Sequence, residues 1–323
     1  MIYVTVGASL PFDRLIEYID KEIAPKFNEK FIAQIHDTSS YIPKNIEYIK
    51  TENKKSFDEH IKSADLIISH AGMGVIIDCI KYHKKLILVP RDPSLGEHID
   101  GHQYEICEYL EEKNKDIPIV YDLNNLYNTI INKMNSSPSV FEESNKNLQE
   151  LRKNISSYLS NNFSANKNIF IVCTSGGHFR QMLELIDVFP KKRVILITNS
   201  TMMVDNNTKK MALEGIRIHI VKGKITHKGI LLYIKSCLKA PFLIFRYRPS
   251  LIVTNGEGAL SIPFSFVGKL FGHKILFMET ISRVKSRSKA ARLIYPIADV
   301  FLVQWEKNLS KYGSKAQYWG SVI

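Results

Sequence analysis

Residues 64–78 read Ala64-Asp65-Leu66-Ile67-Ile68-Ser69-His70-Ala71-Gly72-Met73-Gly74-Val75-Ile76-Ile77-Asp78. A short apolar run ends in two glycines and then resumes with helical spacing. A strand, a glycine turn and a helix start together make an anion site, because the unpaired amides of the first helical turn point at whatever sits there. The same pattern also serves an ordinary strand-to-helix turn, where glycine supplies only backbone freedom. The flanking rhythm assigns the turn to a fold. Apolar strands alternate with helical patterns at 2–6 then 12–23, 31–35, 46–49 then 57–63, 66–69 then 75–82, 86–90 then 102–110, and 117–121 then 126–134. That rhythm predicts a parallel sheet covered by helices.

A turn at Asn135-Ser136-Ser137-Pro138, a helix over 141–159 and a polar stretch over 160–168 interrupt the series. It then restarts with Ile169-Phe170-Ile171-Val172-Cys173, a second glycine turn at Ser175-Gly176-Gly177-His178, a helix over 179–188 and strands at 194–198, 216–221, 251–254, 274–278 and 300–304. The expected fold class is α/β with two Rossmann-like domains: residues 1–140, a helix and linker over 141–166, and residues 167–323. Paired domains of this kind generally hold a ligand in the cleft between them, at the carboxyl ends of the strands.

At 323 residues and 45% hydrophobic, the chain has material for two full cores. It has no run of 18 apolar residues, and its first residues read at once as a strand, so the expectation is a cytoplasmic protein without signal peptide or spanning helix. Cys79, Cys107, Cys173 and Cys237 are widely spaced and predict core residues in a reducing compartment, with neither disulfide nor structural zinc. The net charge of +12 is unevenly placed: residues 1–166 carry −5 and residues 167–323 carry +17. Such a field suits an anionic partner: nucleic acid, an anionic membrane or a diphosphate. Charge alone speaks for nucleic acid, and the basic half has no recognition-helix motif or RNA-binding aromatic signature.

The loop after the strand at 86–90 carries Arg91 and the polar cluster Glu97-His98-Ile99-Asp100-Gly101-His102-Gln103. Two neighbouring strand-end loops can converge on one ligand. The His and acid spacing matches no standard metal site, and no Asp-x-Asp pair occurs.

The opening strand with Gly7, the Ser69-His70-Ala71-Gly72 turn, and Val89-Pro90-Arg91 followed by 96–103 resemble the nucleotide-sugar-binding subunit of bipartite glycosyltransferases. This family includes the eukaryotic two-subunit UDP-GlcNAc transferase of N-glycan lipid-precursor synthesis. It also includes bacterial subunit pairs that add the second sugar of capsule or exopolysaccharide repeats. Cys173-Thr174-Ser175-Gly176-Gly177-His178, Met278-Glu279-Thr280-Ile281-Ser282-Arg283-Val284, 295–299 and Val303-Gln304-Trp305 resemble the membrane-associating acceptor subunit. The chain reads as both subunits fused, donor half first.

The resemblance implies a glycosyltransferase of GT-B type. It implies transfer of galactose, glucuronate or GlcNAc from a UDP-sugar to a polyprenyl-diphosphate-linked sugar, with inversion, at the cytoplasmic face of a membrane. Thr5, Gly7, His70, Ala71, Gly72, Met73 and Gly74 would line the donor cleft. Asp78 would receive the ribose hydroxyls. Glu97, His98, Asp100, His102 and Gln103 would meet the sugar and diphosphate, and Arg91 would neutralise a phosphate or a sugar carboxylate. On the acceptor side Ser175, Gly176, Gly177 and Arg283 would hold the lipid diphosphate. The base that takes the acceptor proton is His178, Glu279 or Glu257. No metal cofactor is expected, since helix amides and basic side chains can hold the diphosphate. A nucleotide-sugar epimerase shares the two-domain architecture and is the rival enzyme.

Residues 224–248 mix bulky apolar side chains with lysines and arginines, the composition of a helix lying in a membrane interface, or of a core helix with a solvated basic face. Arg283, Lys285, Arg287, Lys289 and Arg292 form a second basic run.

Overall fold

The computed structural model describes residues 1–7, 10–98, 101–113, 116–137, 142–164, 166–199, 202–222, 230–256 and 258–323. The chain divides into two compact units, Met1–Glu142 and Glu143–Ile323. Each is a parallel sheet with helices packed on it.

In the first unit the strands are β1 (Ile2–Thr5), β2 (Phe31–Gln34), β3 (Glu47–Ile49), β4 (Leu66–Ser69) and β5 (Lys85–Leu88). They lie in the order β3-β2-β1-β4-β5, all parallel. Four of the five are almost wholly buried, as strands covered on both faces must be. Helices α1 (Asp13–Tyr18), α2 (Lys54–Ser63), α3 (Met73–Lys81), α4 (His102–Lys113) and α5 (Leu126–Met134) connect and cover them. The chain runs outward from β1 through β2 to β3, then returns to place β4 on the other side of β1. This reversal opens the crevice in which open α/β sheets take ligands. Gly7 and Gly72 both lie at it, because Thr5 is in register with Ser69.

The strand expected at 117–121 is reduced to a single bridge between Leu88 and Ile119. Pro118 has no amide to give to a ladder. Its carbonyl accepts from the Leu88 amide at 3.0 Å, and the Val120 amide donates to the Leu88 carbonyl at 2.8 Å.

The second unit opens with α6 (Glu142–Asn162) and continues through β6 (Ile169–Val172), α7 (Gly177–Leu183), β7 (Val194–Thr198), α8 (Met202–Leu213), β8 (Arg217–Ile220), α9 (Ile230–Tyr247), β9 (Leu251–Asn255), α10 (Gly258–Leu270), β10 (Lys274–Met278), α11 (Lys289–Ile294), β11 (Val300–Leu302), α12 (Leu309–Tyr312) and β12 (Ala316–Gln317). Its sheet order is β12-β11-β10-β9-β6-β7-β8, again parallel, with the reversal between β6 and β9. The second glycine turn follows β6 and lies at that reversal.

Helix α6 spans most of the stretch that the sequence reading sets apart as helix and linker, and it belongs to the second unit. Leu151, Ile155 and Leu159 are buried at spacings of four. Arg152 donates twice to the Glu184 carbonyl, and Asn154 donates to the Trp319 carbonyl at 3.1 Å. A Cβ on Gly320, at φ +109°, would lie 2.4 Å from the Asn147 carbonyl oxygen, so only glycine lets residues 319–323 pass so close to α6.

The four cysteines are free. Cys79, Cys107 and Cys173 are buried as expected, whereas Cys237 on α9 is exposed. Among the described residues no helix is long and apolar enough to cross a membrane.

Candidate active site

At the crevice of the first unit, Thr5 and Gln34 shape the turn after β1. Thr5 Oγ1 donates to Gln34 Oε1 at 2.9 Å and accepts the Gly7 amide at 3.2 Å. Gln34 Nε2 donates to the carbonyls of Gly7 and Lys50. Gly7 takes φ +76°, and a Cβ there would stand 2.6 Å from the His70 ring. A Cβ on Gly72 would stand 2.1 Å from the same ring. The imidazole therefore occupies the space that two absent side chains leave. Ser69 Oγ donates to the Thr5 carbonyl at 2.8 Å and lies 3.2 Å from His70 Nδ1. Burial first, and then the Arg91 guanidinium, hold the His70 imidazole well below its ordinary pKa. It is neutral at pH 7.

Beyond His70, Ala71 and Met73 are buried while Gly72 and Gly74 are partly exposed. Gly72 starts α3 without any side-chain cap on the helix. The turn thus presents the uncapped amide end of a nine-residue helix beside a neutral imidazole, an arrangement suited to an anion. His98 and His102 meet edge to face at 4.6 Å, both partly exposed, and their charge is felt at His70. Among the described residues of the cluster, Glu97 is likewise partly exposed.

Four expected donor contacts have other tasks. Arg91 is 1% exposed, and its Nη2 donates to the carbonyl of Val6 at 2.8 Å and to that of Leu10. It is enclosed by its own chain, a poor position for grasping a phosphate directly. Asp78 is buried on α3 and paired with Lys54 at 3.0 Å, so a ribose hydroxyl would have to share it with that ammonium. Glu97 receives Arg14 at 2.7 and 3.0 Å and accepts the Asp92 amide. Gln103 is buried and accepts the Arg91 amide. Asp100 lies outside the described residues.

In the second unit, Ser175 and Asn199 exchange hydrogen bonds at 2.7 and 2.9 Å, fixing the turn after β6. Gly176 adopts φ +87°, and Gly177 begins α7. His178, in the first turn of α7, is partly exposed, and its carbonyl accepts Asn255 Nδ2 at 2.9 Å. The sequence reading did not single out Gln34, Asn199 or Asn255 as site residues. Their common signal is an amide side chain that closes an otherwise apolar strand.

Glu279 does not fit the role of a base reaching the acceptor. It is 1% exposed, and it accepts the amides of Thr280 and Ser288 at 2.8 and 3.1 Å as well as the Tyr312 hydroxyl. Burial raises its pKa, and these donors only partly offset that. It closes the loop between β10 and α11. Arg283 on that loop is partly buried and donates to Ser286 Oγ at 3.1 Å. Glu257 lies outside the described residues. Of the three base candidates, His178 alone is both described and reachable.

Among the described residues no group of three or more His, Cys, Asp and Glu is gathered as a metal would require.

Helix α9 buries Leu232, Ser236, Ala240, Leu243 and Ile244, and it also exposes Leu231, Ile234, Leu238, Phe242 and Phe245. Leu238 and Phe245 are 74% and 69% exposed. Lys239, Arg246 and Arg248 are exposed beside them. Residues 224–229 of the segment lie outside the description.

Residues 169–322 match the model of the Alg14-like oligosaccharide biosynthesis proteins, and residues 1–158 match the C-terminal domain of glycosyltransferase family 28. The chain is 30% identical over 182 residues to the UDP-N-acetylglucosamine transferase subunit alg14 of Schizosaccharomyces pombe, covering 48% of this chain and 83% of the relative. It is 34% identical over 97 residues to subunit ALG13 of Candida albicans, covering 30% of this chain and 31% of that protein. MurG of Acinetobacter baumannii has a TM-score of 0.37 at 12% identity, covering 47% of this chain and 44% of MurG, too distant a likeness to carry an argument. With 83% of one relative covered at 30% identity, the chain belongs to the Alg14-like family of oligosaccharide biosynthesis proteins and, with a family 28 match ahead of that half, is a glycosyltransferase.

Proposed function

We propose that the protein is both parts of a bipartite UDP-sugar transferase on one chain, with residues 1–140 holding the donor and residues 167–323 the acceptor. It moves a hexose, with inversion, from a UDP-sugar to a sugar linked through diphosphate to a polyprenyl lipid, forming a β-1,4 bond. The observation that carries this reading is the likeness of one chain to two subunits of one named transferase, each half having its glycine turn where its sheet reverses. UDP-GlcNAc is the first donor to try, because the relatives bear its name. They lend nothing to the capsule or exopolysaccharide branch of the resemblance.

The amide end of α3 receives the UDP diphosphate, with His70, His98 and His102 beside it. His178 takes the proton from the acceptor hydroxyl as that oxygen attacks the anomeric carbon and UDP departs. Amide dipoles and basic side chains stabilise the leaving diphosphate without a metal. The exposed apolar side of α9, with its flanking Lys239, Arg246 and Arg248, rests on the anionic cytoplasmic face of the membrane where the lipid acceptor resides.

The test is UDP release from a panel of UDP-sugars, with and without polyprenyl-diphosphate-linked GlcNAc or glucose, and with EDTA in a parallel set. Release from one donor that requires acceptor and survives EDTA is the expected result. Conversion of a UDP-sugar without acceptor would replace the transferase by an epimerase.

A further inference from the structure

We propose that Arg91 is a positioning residue for the donor turn, holding the Val6 and Leu10 carbonyls and fixing a positive charge near Gly7 and His70. The inference rests on reading the first unit as the donor site.

One residue, through its side chain and its backbone amide, ties together three segments that end at the crevice. Arg91 itself follows β5, and its Nη2 holds the carbonyls of Val6 and Leu10 after β1. Its amide donates to Gln103 Oε1 in the first turn of α4 at 3.0 Å. The guanidinium lies over the Phe12 ring, 5.4 Å from its centre. The planar fork and the stacked ring both suit arginine and neither suits lysine.

The charge is unusual as well. Among the described residues no carboxylate forms an ion pair with Arg91, and its Nε has no partner. Glu97, whose charge it feels, is engaged by Arg14. An uncompensated buried cation is costly to fold around, and a neutral donor would tether two carbonyls at less cost. Burial pushes its pKa down only to about 10, so it remains charged at neutral pH. A fixed cation in a site of low polarity acts on negative charge that develops nearby, and the departing UDP supplies such charge. After burial, the same cation helps hold the His70 pKa down, leaving the imidazole able to both give and accept a hydrogen bond.

The test compares Arg91→Met, which removes fork and charge, with Arg91→Lys, which keeps the charge alone. The first readout is the NMR titration of the His70 ring in the full-length protein without ligand. That ring faces Arg91, His98 and His102, with the Thr5 carbonyl beside it. Arg91→Met should raise the His70 midpoint measurably, and Arg91→Lys should leave it near wild type. For donor turnover, Arg91→Met should lose on the order of 100-fold in kcat/KM through both terms, and Arg91→Lys should recover part of kcat but little of KM. A folded Arg91→Met with an unmoved His70 midpoint and wild-type UDP affinity would overturn the proposal. If Arg91→Met does not fold, wild-type kcat/KM in Arg91→Lys overturns the clamp. If the wild type binds no UDP, the donor reading fails, while the His70 titration still judges the charge.

Discussion

Around Gly7 and Gly72 an added side-chain carbon would run into the His70 ring, whereas at Gly176 and Gly177 the same carbon would meet no described atom within 4 Å. The first turn is filled by an imidazole and braced from behind by Arg91 and Gln34. The second is open among the described residues, and Asn199 and Asn255 hold its edges. Glycine therefore has different tasks in two stretches that read alike: close approach to an imidazole at Gly72, and a positive φ at Gly176. A filled turn is a finished surface. An open one leaves room for bulkier chemistry.

The sharpest division between the halves is catalytic. If the base belongs to one half and the donor to the other, as proposed, His178→Ala should lower turnover by about 10²- to 10⁴-fold and leave UDP affinity unchanged. Near-normal turnover would remove His178 as base. Calorimetric titration with UDP checks the second part.

The next effect falls on the filled turn. Gly72→Ala forces the His70 ring to move and should cost about 1–3 kcal/mol of first-unit stability, together with weaker UDP binding. Urea melts and UDP titration at wild-type values would show that the ring yields freely and that the turn is not filled in the sense argued.

Glu279 gives the second unit a pH dependence that the first unit's turn does not share. Its folded pKa is raised, so protonation favours the fold. The stability it contributes is full below the ordinary carboxylate value and is lost as pH rises through the raised value. Glu279→Gln should flatten that part of the melting-temperature profile while leaving the His178-dependent rate in place. An unchanged profile would show that the three donors to Glu279 just cancel its burial.

The smallest effect is expected at the open turn. Gly177→Ala should change stability little, or raise it by about 0.4–1 kcal/mol through the unfolded chain. A loss of turnover without loss of fold would mean that the acceptor uses the space.

The periodicity of apolar residues is a local property, and it carried the strands, their parallel order and the place of both turns. Pro118 shows where local reading overreaches: the flanking residues are apolar, and one missing amide leaves a bridge instead of a strand. The roles of Arg91, Asp78 and Glu279 were not legible for a different reason. Each stands at a strand end or on a helix where a ligand contact is expected. Each is claimed instead by a group distant in sequence: Val6 and Leu10, Lys54, and Tyr312 respectively. Such pairings depend on the finished topology, which spacing along the chain does not encode.

The clasp between α6 and residues 319–323 has a consequence for biogenesis. Asn154 and its carbonyl partner Trp319 are 165 residues apart. At translation rates of about 5–20 residues per second, α6 emerges on the order of ten to thirty seconds before the segment that covers it exists. Throughout that interval the Leu151, Ile155 and Leu159 face has no final partner in the 319–323 segment. Residues 319–323 close the α6 face, so the second half should fold only after that segment has emerged.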